Sequence, residues 1–262
     1  MTAAGAARSA KGRIVAEIVI VLGLSLGMSA LYSIVTLVNR ATLETPIAQQ
    51  TATIVPSRDS RAIFDLLYQL LGIVSDLVPV ALVCFLLWST AKPHLARLGI
   101  DARHPVRDGL LGLGLALPIG VAGLGIFLAG RTLGLGVGIS ASNLTDTWWT
   151  IPVLLLTAAR AAIQEEVIMI GYLFARLGDV GVGRWGTILI SAVIRGTYHL
   201  YQGYGAFVAN VAMGVVFGWL YTRGTERRVI PFVVAHFTID AVVFVGAPAA
   251  ATAWPELFAP TG

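Results

Sequence analysis

The sequence predicts an all-α fold, a polytopic transmembrane helical bundle of about seven spans (six to eight) with the N terminus inside. Three observations carry that prediction. Only 12% of the 262 residues are charged and 56% are hydrophobic, whereas soluble domains carry ~25% charged residues. So little charge cannot cover a water-facing surface, and a mean hydropathy of +0.81 agrees. The apolar residues gather in runs near the ~20 residues that cross a bilayer. Finally, Lys and Arg are divided unequally among the segments between those runs.

In chain order the runs are Ile14–Val38, Ile63–Thr90, Leu110–Gly130, Trp148–Ala175, Trp185–Leu200, Ala206–Tyr221 and Ile230–Ala247. The first follows Arg8, Lys11 and Arg13, as a signal peptide would. It exceeds the usual signal core of ~7–15 residues, so a retained span is expected. The second is long, and Asp65, Gln69 and Asp76 make its first half polar. That half is expected to lie in the membrane interface before Pro79. The glycine-rich runs Gly109–Gly125 and Gly130–Gly138 have no strand before them, so they read as close helix packing rather than a nucleotide loop. The fifth and sixth runs are short and divided by a break at Gln202–Gly205. Residues 1–147 thus form an N-terminal region of three spans, 148–247 a helical core and 248–262 a tail.

Loop charge orients the bundle. With the N terminus inside, the inner segments hold Arg8, Lys11, Arg13, Lys92, Arg97, Arg103, Arg107, Arg176, Arg184, Arg223, Arg227 and Arg228. The outer segments hold Arg40, Arg58, Arg61 and Arg131. Positive charge favours the inner side. Trp148, Trp149 and Trp185 sit near span ends, as interface anchors do. The largest outer loop is Ala41–Ser60. Cys84 is the one cysteine, which excludes an intrachain disulfide and a Cys-rich zinc site.

The chemistry sits in polar residues that lipid should exclude. A charge at mid-bilayer costs about 2.5–3.5 kcal/mol on insertion scales. The last four spans nevertheless hold Arg160, Glu165, Glu166, Arg195, His199, His236 and Asp240. A structural ion-pair network through Arg160 and Arg195 is the plain explanation. On a helix, positions four apart share a face, so His236 projects with Asp240 and Arg195 with His199. Glu165 and Glu166 point about 100° apart and are expected to do different jobs. A carboxylate and an imidazole can jointly polarise a water. A second imidazole with a carboxyl can stabilise an oxyanion. The same set suits zinc or another divalent metal, with Glu165, His199 and His236 as candidate ligands. Either route is hydrolysis by an activated water.

Three strings give these residues a family resemblance. Gln164-Glu165-Glu166-Val-Ile-Met-Ile-Gly171-Tyr172 resembles the EExxxR motif, with its trailing Gly-Tyr, of the CPBP family of CAAX proteases and bacteriocin-processing (Abi) enzymes. Arg195-Gly-Thr-Tyr198-His199 resembles the FxxxH motif, and His236-Phe-Thr-Ile-Asp240 the HxxxN/D motif. Order and spacing agree over about Trp148–Val245. The resemblance implies intramembrane endoproteolysis of a membrane-associated peptide or protein. It makes Glu165 the base with His199, His236 and Asp240 the oxyanion pair, and Glu166 structural. Metal-dependent and metal-free mechanisms are both argued for the family, and both stay open. The chain departs from the motifs twice: Ile170 stands where the family has Arg, and Arg195 where it has Phe. Arg195 is expected to offset the glutamates from the next helix.

Other readings are a catalytically inactive relative acting as an immunity or scaffold protein, and a transporter using the buried charges as an ion path. The transporter reading calls for repeated halves, which are not seen. The depths of the site residues require a distortion of the helices. Counted at ~1.5 Å per residue from the inner ends, Glu165 lies roughly 16 Å deep, His199 about 22 Å and His236 roughly 10 Å. A break near Gly196 and Gly203 is therefore expected, opening a cavity with Asn210 as an added polar wall. Gly23-Leu-Ser25-Leu-Gly27 fits GxSxG but lacks the strand–turn–helix elbow of a serine hydrolase. The Ala-, Gly-, Arg- and Val-rich composition fits a GC-rich bacterial genome and a multi-pass plasma-membrane protein. No nucleic-acid partner is expected.

Overall fold

Gly23, Leu24 and Ser25 interrupt what hydropathy reads as one N-terminal span. In the computed structural model, which describes residues 3–224, 226–246, 248, 250, 253 and 254, helix α1 (Ala3–Gly23) and helix α2 (Leu26–Ala41) meet at a 56° bend. Glycine and serine pairs are common causes of such bends. Here the Ser25 hydroxyl donates to the Val21 carbonyl at 2.6 Å. The string that mimics a hydrolase motif is therefore a helix joint.

Helix α3 (Ala62–Leu86) runs unbroken through Pro79. This corrects the expected interfacial first half. Its polar residues serve the chain just before it: Asp65 accepts from the Arg58 amide at 2.9 Å, and Gln69 donates to the Pro56 carbonyl at 2.9 Å. Helix α4 (Pro105–Thr132) opens with a proline in its first turn, where no amide donor is lost.

The protein is mostly helical, as expected, with one small addition. Strands β1 (Thr51–Val55) and β2 (Gly138–Ser142) pair in parallel, with Thr51 opposite Gly138 and Val55 opposite Ser142. Both come from segments expected as outer loops. Five residues of mixed Thr, Ser and small apolar type give no hydropathy signal.

The C-terminal half begins with helix α5 (Thr150–Glu166). It continues through a π-helical turn (Val167–Tyr172) into helix α6 (Leu173–Val180). Helix α7 (Arg184–Tyr198) is followed by a short 3-10 turn (Leu200–Gln202) and helix α8 (Tyr204–Arg223). Helix α9 (Ile230–Ala241) ends in a second π-helical segment (Val242–Gly246). The core closes around the first π turn, where Ile168, Met169, Ile170 and Tyr172 are fully buried with Leu98 and Phe217. Small residues let backbones approach. A Cβ added at Gly214 of α8 would lie 2.8 Å from the Ala192 Cα of α7, so these helices meet through dispersion contacts at close range.

The connections gather into two polar layers. At one end Arg97 pairs with Asp179 at 2.6 Å, Arg228 pairs with Asp101 at 2.9 Å and with Asp108, and Arg184 donates to Thr222 at 2.9 Å. At the other, the β1–β2 ribbon is joined by a Ser57 amide to Asn143 bond of 2.7 Å and a Tyr204 amide to Leu135 carbonyl bond of 2.9 Å. Between the layers the helices turn apolar side chains outward, among them Val19, Leu31, Leu71, Val74, Leu117 and Val121. Among the described residues, α3, α4 and α8 are long and apolar enough to cross a membrane, and the bent α1–α2 pair makes a fourth candidate. Apolar surface on that scale requires a lipid environment, so this is a helical membrane protein. The expected tail over 248–262 and the end of the last run at Ala247 lie largely outside the described residues.

Candidate active site

Helix α5 ends on Glu165 and Glu166, and the next six residues widen into the π turn. Such turns hold an extra residue per turn and recur at functional sites. The adjacent glutamates then part company, as their angular separation requires. Glu166 is fully buried and uses both oxygens: Oε1 lies 2.7 Å from His236 Nδ1, and Oε2 accepts from Arg195 Nη2 at 2.8 Å. Glu165 uses Oε2, which accepts from the Tyr198 hydroxyl at 2.7 Å and from Arg195 Nη1 at 3.3 Å. The same oxygen faces His199 Nε2 at 3.8 Å. On α9, His236 Nε2 lies 3.4 Å from Asp240 Oδ2, so the four-residue spacing does put them on one face.

Arg195 is the centre of charge. It is fully buried on α7, with its guanidinium on both carboxylates and 5.8 Å from the Phe217 ring centroid. Gly214 leaves room for its stem, since a Cβ there would come within 3.4 Å of Arg195 Cδ. Ile170 is buried in the apolar core of the π turn. The counter-charge to the glutamates therefore arrives from the neighbouring helix.

Residues 147–242 match the family model of the type II CAAX prenyl endopeptidase Rce1-like proteins. Over that segment the chain is similar to the CAAX prenyl endopeptidases, in keeping with its three motif strings. No curated protein and no solved structure matches it. All three motif strings lie inside the match, and α5, α7 and α9 bring them to one place.

Other expected members fall elsewhere. Asn210 donates to the Ala206 carbonyl of its own helix at 3.0 Å and makes no bond to the cluster among the described residues. Arg160 pairs with Asp76 at 3.3 Å and contacts Gln164 at 3.4 Å rather than either glutamate. The expected break near Gly196 is absent. Gly196 lies inside α7, where a Cβ would come within 2.5 Å of Val211 Cγ2, so it is a packing glycine. The break is at Gly203, with φ +94°, pressed against the backbone of Gly136. Stopping α7 at Tyr198 leaves His199 at the helix end and level with Glu165.

Tyr198 is a site residue that the sequence does not single out. Nothing in a Tyr-His pair at a helix end announces a carboxylate on another helix. Both ring nitrogens of His199 are buried without a hydrogen-bond partner among the described residues.

A divalent metal fits this cluster poorly. Glu165, Glu166 and His236 do offer ligand-type atoms within 4.8 Å of one another, and carboxylate and imidazole are zinc donors. Arg195, however, already holds an oxygen of each glutamate. Both ring nitrogens of His236 face carboxylates, and a nitrogen donating to a carboxylate has no lone pair to give a metal. His199, expected as a ligand with Glu165 and His236, is outside that three-residue group.

Proposed function

We propose that this protein is an intramembrane endopeptidase of the CAAX-protease type, hydrolysing a membrane-associated peptide or protein by a metal-free glutamate mechanism. The observation that carries the reading is Glu165 facing, across 3.8 Å, the His199 imidazole, whose ring nitrogens have no hydrogen-bond partner among the described residues, at the meeting point of α5 and α7. Groups whose nearest atoms are that close can share one water, which Glu165 meets with Oε1 because Oε2 is held by Tyr198 and Arg195. Glu165 takes a proton from the water as its oxygen attacks the scissile carbonyl carbon. His236 lends Nε2 to the oxyanion, exchanging its long 3.4 Å contact with Asp240 for a stronger bond. Glu165 then passes the proton to the amide nitrogen as the C–N bond breaks, leaving a carboxylic acid and an amine. Glu166, with both oxygens committed, acts as scaffold.

The chain is read as seven traverses with the N terminus inside. The two polar layers support it, because successive connections alternate between them and the basic residues collect in one. On this reading 1–147 form the N-terminal membrane region, 148–247 the catalytic core and 248–262 a tail, in a bacterial plasma membrane. The bond between Arg195 and Glu165 is the one feature that favours an inactive scaffold instead. Purified protein in proteoliposomes, assayed on a membrane-tethered reporter peptide, separates the two. Cleavage by the wild type and none by Glu165→Ala is expected; equal behaviour of the two sinks the protease reading.

A further inference from the structure

We infer that Tyr198 is a positioning residue for Glu165, and that Ser33, in the N-terminal region outside the family match, holds Tyr198 for that task. The inference rests on the protease reading and deepens it.

The contacts form one chain. Ser33 Oγ on α2 donates to the Tyr198 carbonyl at 2.8 Å, and the serine is buried. That carbonyl belongs to the last turn of α7, where carbonyls have no partner within the helix. A hydroxyl from α2 therefore fixes the turn that presents Tyr198. The Tyr198 ring then leans on the His199 ring, with centroids 4.9 Å apart and planes tilted by 43°. Its hydroxyl reaches Glu165 Oε2 at 2.7 Å.

The consequence is a division of labour within one carboxylate. Oε2 accepts from Tyr198 and Arg195, while no described residue donates to Oε1. A carboxylate held by one oxygen cannot swing about its last bond, so Oε1 keeps a single direction. That oxygen is the one left to take the proton from water. Arg195 alone, at 3.3 Å, makes a longer bond and is shared with Glu166. The tyrosine is the shorter tether and the one that belongs to Glu165 alone.

The test uses Tyr198→Phe, Ser33→Ala and the double variant of the full chain in proteoliposomes. Tyr198→Phe is expected to lower kcat roughly ten- to a hundredfold, the cost of a misplaced catalytic group, with KM and the unfolding temperature unchanged. Ser33→Ala is expected to lower kcat less, and the double variant to be no worse than Tyr198→Phe, because Ser33 acts through Tyr198. Wild-type kcat in Tyr198→Phe, or effects that multiply in the double variant, overturns the inference. A second readout needs no activity. Labelling of Glu165 by dicyclohexylcarbodiimide, followed by mass spectrometry, is expected to rise several-fold when Tyr198→Phe frees the carboxyl. Unchanged labelling overturns the tether. Raised labelling in a protein whose wild type cleaves no better than Glu165→Ala supports the tether and sinks only the protease reading.

Discussion

Arg195 Nη2 lies 2.8 Å from Glu166 Oε2, inside a cluster where neither side chain meets solvent. The pair joins the end of α5 to the last turns of α7 and sets the charge balance of the whole site. Its second arm reaches Glu165 at 3.3 Å. A lone buried glutamate would be costly, so the two helices are held together by the need to keep these charges matched.

Moving the arginine should therefore cost less than removing it. Arg195→Phe is expected to cost about 3–5 kcal/mol, the penalty for stripping a buried charge of its partner. Ile170→Arg alone is expected to destabilise as well, by putting a second cation in an apolar turn. The double variant, with the family's own arrangement, is expected to recover most of the loss. Thermal unfolding in detergent checks all three, and a double variant no better than Arg195→Phe defeats the exchange.

The two glutamates should fail differently. Glu165→Gln is expected to reduce kcat by about 10²–10⁴-fold, the range for losing a general base, with little change in unfolding temperature. Glu166→Gln is expected to lower the unfolding temperature strongly, because both of its oxygens are committed. Paired activity and melting measurements on each variant check this, and identical profiles would contradict the division of roles.

Gly203 should tolerate nothing larger. Its φ of +94° is a conformation that side chains avoid, and a Cβ would lie 3.0 Å from the Gly136 Cα. Gly203→Ala is expected to cost about 1–3 kcal/mol of backbone strain and to displace His199. Gly114→Ala, at a position open on all sides, is the control and is expected to melt like the wild type. Equal melting of the two variants would refute the argument.

Chelation should leave cleavage intact. Dialysis of the purified protein against a strong chelator, followed by the reporter assay and elemental analysis, is expected to find activity without stoichiometric metal. Activity lost on dialysis and restored by zinc would overturn the metal-free reading.

Much of the site is legible in the residues alone. Glu165, Glu166, His199, His236 and Asp240 stand out because lipid makes every buried charge expensive, so each one needs a reason. The helical period pairs His236 with Asp240 and separates the glutamates, and the structure keeps both relations. Asn210 falls outside the site because an asparagine on a helix can satisfy itself on its own backbone, as it does with Ala206. Asp65 and Gln69 look interfacial because hydropathy cannot see that a neighbouring segment will cover them.

The sequence by itself determined the lipid environment, the helical character and the identity of the charged residues, since these follow from composition and period. It also pointed to Gly203 as a place where the chain must turn. The departures at Ile170 and Arg195 also pointed to Arg195 as the counter-charge of the glutamates, but only the tertiary structure decided which oxygen each partner takes. Arg195 bridging two carboxylates, Tyr198 reaching Glu165 and Ser33 holding Tyr198 are contacts between helices far apart in the chain. Such contacts depend on where α7 stops and how closely α2 and α8 approach it. Those are properties of packing, which no local pattern of residues records.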